Sequence, residues 1–219
     1  MLYVILLAAG YSKRFHGNKL LYPFKGKPLY LYTLEKLFCF CHNDSSGDNS
    51  NRTLFVVTQY DEILDTCQKR NIKAVKNKIQ NTGIASSIQK GIEVVLEDVK
   101  SKLMIDDEEY HIMFCVADQP FMAMPLLESM QKNFLESEKG VGCMGYEENG
   151  KRTICNPIIF SKKYIPELLQ LKGDEGGKKI VNRHTKDIYF YKIEQSIFFD
   201  DIDTESDLGK ELYENYTVD

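Results

Sequence analysis

The opening stretch, Leu2 to Leu21 (LYVILLAAGYSKRFHGNKLL), constrains this chain more than any other. Leu2 to Leu7 is a short apolar run, the length of one buried strand and too short to span a bilayer. Ala8, Ala9 and Gly10 follow, small residues at which a backbone can approach a ligand closely. Ser12, Lys13 and Arg14 come next, and Lys19 lies beyond Gly17 and Asn18. A strand that ends in a small-residue turn carrying backbone N–H groups, Arg and Lys suits a polyanion, foremost a nucleoside triphosphate. An ordinary strand with a solvated basic loop is the plainer reading of the same residues. A dinucleotide fingerprint is absent, because only Gly10 and Gly17 are glycines here.

Downstream, short apolar runs alternate with helical patterns. Strands are expected at Leu54 to Thr58, Ile72 to Val75 and His111 to Ala117. A hairpin is expected from Gly140–Tyr146 and Ile154–Phe160 around an Asn149-Gly150 turn, and a last strand at Asp187 to Ile193. Helices are expected from Pro28 to about Cys41, over Asp61 to Arg70, from Ser86 or Ser87 to Val99, over Met124 to Phe134, Lys162 to Leu171 and Lys178 to His184, with a final one after Asp203. This alternation predicts an α/β, Rossmann-like fold: one domain over residues 1–219, with a mainly parallel sheet and helices on both faces. His42 to Thr53 is polar and rich in turn formers, and reads as a surface loop.

Charge and cysteines narrow the function classes. The 28 basic and 32 acidic residues give a net charge of −4, which does not favour nucleic acid or anionic membrane as a partner. Six cysteines without a Cys-x-x-Cys pair, and no convincing targeting segment, point to a reduced cytoplasmic protein. Cys39-x-Cys41-His42 could bind metal, but it alternates with Phe38 and Phe40 at a helix end, and a structural role is favoured.

Several polar residues are placed to act. Ser86 and Ser87 fall in the first turn of a helix, where they serve equally as caps or as ligand donors. Asp118 ends a strand at Asp118-Gln119-Pro120, where open α/β sheets bind ligands. Beside a triphosphate loop, Asp118 is a candidate Mg²⁺ ligand, since Mg²⁺ typically bridges one or two carboxylates and substrate phosphates. Gly173-Asp174-Glu175-Gly176-Gly177 suggests a loop that admits a ligand or simply turns. Asp203 precedes a helix start and is readily explained as a cap.

Taken together and in order, these motifs resemble the molybdenum cofactor nucleotidyltransferases, in particular the cytidylyltransferase branch of the MobA-like NTP transferases. The resemblance spans nearly the whole chain. It rests on Leu7-Ala8-Ala9-Gly10-x-Ser12-x-Arg14-Phe15 with Lys19-Leu20-Leu21, and on Gly83-Ile84-Ala85-Ser86-Ser87-Ile88. Asp118-Gln119-Pro120, Asn156-Pro157, Gly173-Asp174-x-Gly176 and Asp201-Ile202-Asp203-Thr204-x-x-Asp207-Leu208 complete it. It implies transfer of CMP from CTP to molybdopterin with release of pyrophosphate and with Mg²⁺ as cofactor. It implies nucleotide contacts at Leu7, Ala8, Ala9, Gly10, Ser12, Arg14, Lys19, Gly83, Ala85, Ser86 and Ser87. Arg14, Lys19 and Asp118 would be the catalytic groups, with Asp118 and Asp203 on the metal and Gln119, Asn156 and Asp174 on the acceptor side. A molybdenum hydroxylase apo-enzyme is the further partner it suggests.

Guanylyl-transferring relatives usually carry Gly where Ala9 stands, so the alanine favours CTP. The chain departs from the pattern at Ala117, at His16 and in the length of the 42–53 loop. Rival readings are GTP as donor, a sugar or isoprenoid phosphate as acceptor, and a non-catalytic carrier of molybdenum cofactor. An oxidoreductase is a fourth, and the dinucleotide fingerprint it would need is absent.

Overall fold

The computed structural model describes residues 1–10, 15, 17–42, 52–78, 83–102, 109–194, 202 and 204. Expectations that rest on Ser12, Arg14, His16, Asp201, Asp203 and the final helix lie outside them, as does most of the 42–53 loop.

The architecture is α/β and Rossmann-like. A seven-stranded sheet is built from β1 (Leu2–Ala8), β4 (Arg52–Thr58), β5 (Lys73–Lys76), β6 (His111–Val116), β7 (Val141–Glu148), β8 (Lys151–Ser161) and β9 (Ile188–Lys192). A two-stranded hairpin, β2 (Pro23–Phe24) with β3 (Lys27–Pro28), stands apart from it. The order across the large sheet is β5-β4-β1-β6-β8-β7-β9. Pairing is parallel from β5 through β6 and again between β7 and β9, and β8 alone runs against its neighbours. The apolar opening run becomes the central strand, with every residue of β1 buried.

Alternation along β1 sorts the core into two layers. Leu2, Val4, Leu6 and Ala8 face α1 (Leu29–His42), α2 (Asp61–Lys69) and α4 (Met124–Glu136), through residues such as Leu34, Ile63 and Met130. Tyr3, Ile5 and Leu7 face α3 (Gly83–Ser101), α5 (Ile165–Leu168) and α6 (Lys178–Arg183), through Ile88, Ile92, Leu168 and Ile180.

Local chemistry explains the departures from the expected boundaries. α1 begins at Leu29, one residue past Pro28, and its Leu29 and Tyr30 N–H groups are taken by the carbonyls of Tyr22 and Leu20. The expected helix 162–171 is a 3₁₀ turn (Lys162–Tyr164) followed by one turn of α5. Pro166, lacking an N–H, sits in the first turn of α5, where a helix can restart but not continue. β4 starts at Arg52, two residues early, because its guanidinium donates to the Phe40 carbonyl at 2.7 Å and stacks on the Phe40 ring. All six cysteines are free thiols, with Cys41 in the core and Cys39 exposed. Among the described residues, no helix is long and apolar enough to cross a membrane.

Candidate active site

The carboxyl ends of β1, β4, β5 and β6 lie side by side along one edge of the sheet. The zipper between β1 and β6 continues one step past the strands, through an Ala117 N–H bond to the Leu7 carbonyl at 3.1 Å. That step carries Asp118 to the end of β1. Lys19 arrives from the other side. An Asn18 Oδ1 bond to the Leu20 N–H and a Lys19 carbonyl bond to the Tyr22 N–H turn the chain there, and Leu20 anchors the turn in the core. The Lys19 Nζ then sits 2.7 Å from the Asp118 carboxylate, with both side chains largely buried.

The small-residue turn is held from β4 and the residues after it. Thr58 Oγ1 donates to the Ala8 carbonyl at 2.8 Å, Gln59 Nε2 to that of Ala9 at 2.9 Å, and the Tyr60 hydroxyl to that of Gly10 at 2.9 Å. Leu7 and Ala8 are packed inside the sheet, so Ala9 and Gly10 are the part of the turn open to a ligand. The Asp118-Gln119-Pro120 turn is clamped from α1. Thr33 Oγ1 donates to the Gln119 carbonyl at 3.1 Å and Lys36 Nζ to that of Pro120 at 2.9 Å. Gln119 itself is buried at 3% exposure, which turns this expected acceptor contact inward.

A second group forms where α3 begins. Gly83 has φ +71°, and a Cβ there would lie 2.1 Å from the Gly173 carbonyl oxygen, so only glycine fits. The Ala85 N–H donates to that same carbonyl at 3.1 Å. The structure therefore joins two motifs separated by ninety residues, and exposed Asp174 stands on the joined loop. Ser86 and Ser87 are in the first turns of α3, and both oxygens accept from Asn77 Nδ2. Asn77 follows β5 directly, and its N–H donates to the Thr58 carbonyl at 2.7 Å. The helix thus starts beside the small-residue turn.

Asn156 comes from the antiparallel strand. β6 pairs with β8 as far as Phe114 opposite Ile158, and that register carried on would set Asn156 across from Val116, two residues before Asp118. Against β7 the register jumps, with Cys143 facing Ile158 and Met144 facing Cys155, so Asn156-Pro157 bulges from the ladder. The peptide bond before Pro157 is cis. Finally, the Ile202 N–H donates to the Asp118 carbonyl at 3.1 Å.

Three of the cysteines are poor nucleophiles. Burial pushes the Cys41 and Cys143 thiols up to about 12 and Cys67 up to about 11, far from the thiolate form at neutral pH. Among the described residues no group of three or more His, Cys, Asp or Glu is gathered to hold a metal. A lone carboxylate of Asp118 still fits Mg²⁺, a hard ion that takes one or two carboxylates and completes its shell with water and phosphate oxygens.

Sequence reasoning missed Asn77, Thr33, Lys36, Gln59 and Tyr60. Asn77 and Gln59 stand just past strand ends, which is a usable signal in an open α/β sheet. Thr33 and Lys36 lie mid-helix and carry none.

Fold and site together define a nucleotide-handling α/β protein with a charged pair at its switch point. The chain belongs to the family of the MobA-like NTP transferase domain, whose profile matches residues 4–188. It is a nucleotidyltransferase. A probable molybdenum cofactor guanylyltransferase of Thermococcus gammatolerans is 27% identical over 214 residues, 94% of this chain and 96% of the relative. The Mycobacterium tuberculosis H37Rv protein Rv0371c has the same fold, with a TM-score of 0.69 at 18% identity over 98% of each chain. That protein has also been solved in complex with manganese. A nucleotidyl transferase from Methanothermobacter aligns with a TM-score of 0.68 at 17% identity over 94% of each chain.

Proposed function

We propose that this nucleotidyltransferase moves CMP from CTP to the terminal phosphate of molybdopterin, releasing pyrophosphate. The observation that carries the reading is the Lys19–Asp118 pair set at the ends of β1 and β6, against the small-residue turn. The acceptor phosphate is anionic at neutral pH and needs no activated Ser, Cys or His. One of its oxygens attacks the α-phosphorus, and the bond to the β-phosphate oxygen breaks to release pyrophosphate. The task left to the protein is to neutralise charge and to align two polyanions. Lys19 and Arg14 bring positive charge to the triphosphate, and the backbone of Ala9 and Gly10 leaves room for it. The α3 start, with Gly83, Ala85, Ser86 and Ser87, lies on the nucleotide side, and Asn156 and Asp174 on the acceptor side. Mg²⁺ held by Asp118, with Asp203 as the second carboxylate, would shield the phosphate oxygens. Asp203 neighbours Ile202, whose N–H is bonded at Asp118.

CTP follows from Ala9, whose methyl group narrows the turn where guanylyl-transferring relatives usually carry Gly. GTP is the second reading, favoured by the name of the Thermococcus relative. Pyrophosphate release with molybdopterin and Mg²⁺ tests both, comparing CTP, GTP, ATP and UTP. Release with CTP alone is expected. A preference for GTP would overturn the argument from Ala9, and no release with any nucleotide, alongside tight cofactor binding, would replace transfer with carriage to a hydroxylase.

A further inference from the structure

Asn77 is a buried polar side chain, 6% exposed, in no motif discussed above. Its amide nitrogen has two hydrogens, and each is spent on a serine: Ser86 Oγ at 3.1 Å and Ser87 Oγ at 3.0 Å. The two hydroxyls then differ in what remains to them. Ser86 sends its own proton back to the Gly83 carbonyl at 3.1 Å, the local bond of a helix start. With one bond accepted and its proton given, Ser86 is committed to the fold. Ser87 also accepts from Asn77, but among the described residues no acceptor takes its proton. Ser87 is 6% exposed, and a buried hydroxyl proton without an acceptor is worth a hydrogen bond to whatever enters.

We propose that Asn77 is a positioning residue that turns the Ser87 hydroxyl so that its proton is donated to the bound nucleotide, while Ser86 spends its proton within the first turn of α3. The inference rests on the nucleotide site proposed above and divides two serines that the motif treats alike. The chemistry sets the sign of a test. Asn77→Asp keeps the shape but replaces the donor nitrogen with an acceptor. Ser87 must then give its proton to the carboxylate, and none is left for the ligand.

Calorimetric titration of the full chain with CTP and with GTP, each with Mg²⁺, reads the effect without turnover. Ser87→Ala is expected to raise the dissociation constant roughly tenfold or more, the loss of one hydrogen bond to a charged group. Asn77→Asp is expected to raise the dissociation constant by a similar factor and, in steady-state pyrophosphate release, to raise KM with kcat within about twofold, as uniform binding is lost. Combined with Ser87→Ala, Asn77→Asp should add nothing, because both remove the same donated proton. Losses that multiply, or a lowered unfolding temperature with an unchanged KM, would overturn the assignment. Should Asn77→Asp fail to fold, the two serines decide. Ser87→Ala must weaken binding several-fold more than Ser86→Ala, whose main effect is on the unfolding temperature, through the lost bonds to Gly83 and Asn77. Equal losses sink the inference. A wild-type chain that binds neither nucleotide overturns the nucleotide site as well. Wild-type binding matched by Ser87→Ala overturns the inference alone.

Discussion

The two ends of the sheet use charge in opposite ways. At the amino ends of the parallel strands, carboxylates are enclosed by their own donors. Asp98 takes the Tyr3 hydroxyl at 3.2 Å and ion pairs from Lys73 and Lys102 at 2.5 and 2.7 Å. Asp187 takes the Tyr164 hydroxyl at 2.6 Å, Lys163 at 2.8 Å and the Gly140 N–H at 3.1 Å. Both pull distant elements together: β1, β5 and α3 in the first case, β7, β9 and the turn before α5 in the second. At the carboxyl ends the turns are tied down through their backbone carbonyls, which accept from Thr33, Lys36, Thr58, Gln59 and Tyr60. Asp118 is paired with Lys19, and Gly10 at the end of the small-residue turn is exposed. A chain can place charge for cohesion at one end and for a ligand at the other, because strand direction separates the ends by the length of β1.

Lys19→Ala should show the largest effect, a fall in turnover on the order of 10²-fold or more, as for other preorganised charge stabilisers. Pyrophosphate release measures it, and near wild-type turnover would erase the distinction between the two ends. Gly83→Ala comes next. Its methyl group meets the Gly173 carbonyl at a φ of +71°, so α3 and the 173 loop must part. A loss of stability of about 1–3 kcal/mol is expected from the strain, with a raised KM for nucleotide. Urea unfolding and steady-state kinetics read the two, and an unchanged KM would detach the loop from the site. Asp98→Ala should reverse the pattern, removing about 2 kcal/mol of stability, since Lys73 is well exposed and only Asp98 is deeply buried. Its kcat/KM should stay within about twofold at a temperature where the variant is folded.

The smallest effect concerns pH. Burial pushes the Asp187 carboxyl up, but the hydrogen bonds from Lys163, Tyr164 and the Gly140 N–H outweigh it and hold the group at about 2, below its ordinary 3.8. A depressed acid stabilises the fold above its unfolded pKa and loses that contribution as pH falls through the folded one. Stability of the wild type should therefore decline from near pH 4 toward 2, and Asp187→Asn should flatten that part of the curve. Urea midpoints measured across this range check it. Parallel curves for the two proteins would show that Asp187 does not carry the acid sensitivity of that end.

Much of this was legible in the order of residues. The apolar run at Leu2, the strand before Asp118 and the helical spacing from Ile88 to Val99 follow from periodicities of two and 3.6, which are local properties. The helix break at Pro166 was present in the sequence too, in a missing N–H, but the apolar spacing masked it. Asn77 carries no such signal, because nothing near it in sequence shows that both its amide hydrogens go to a helix nine and ten residues on.

Sequence alone determined most strands and helices, their placement on both faces of a mainly parallel sheet and the succession of ligand-type motifs, since each depends on neighbours a few residues apart. Tertiary structure decided which motifs meet. It seated Lys19 on Asp118, locked Gly83 against Gly173, and tied the Asp118 turn to Thr33 and Lys36. Those choices are contacts across scores of residues. They are set by strand order and by the close packing of α3 on the sheet, which no local pattern encodes.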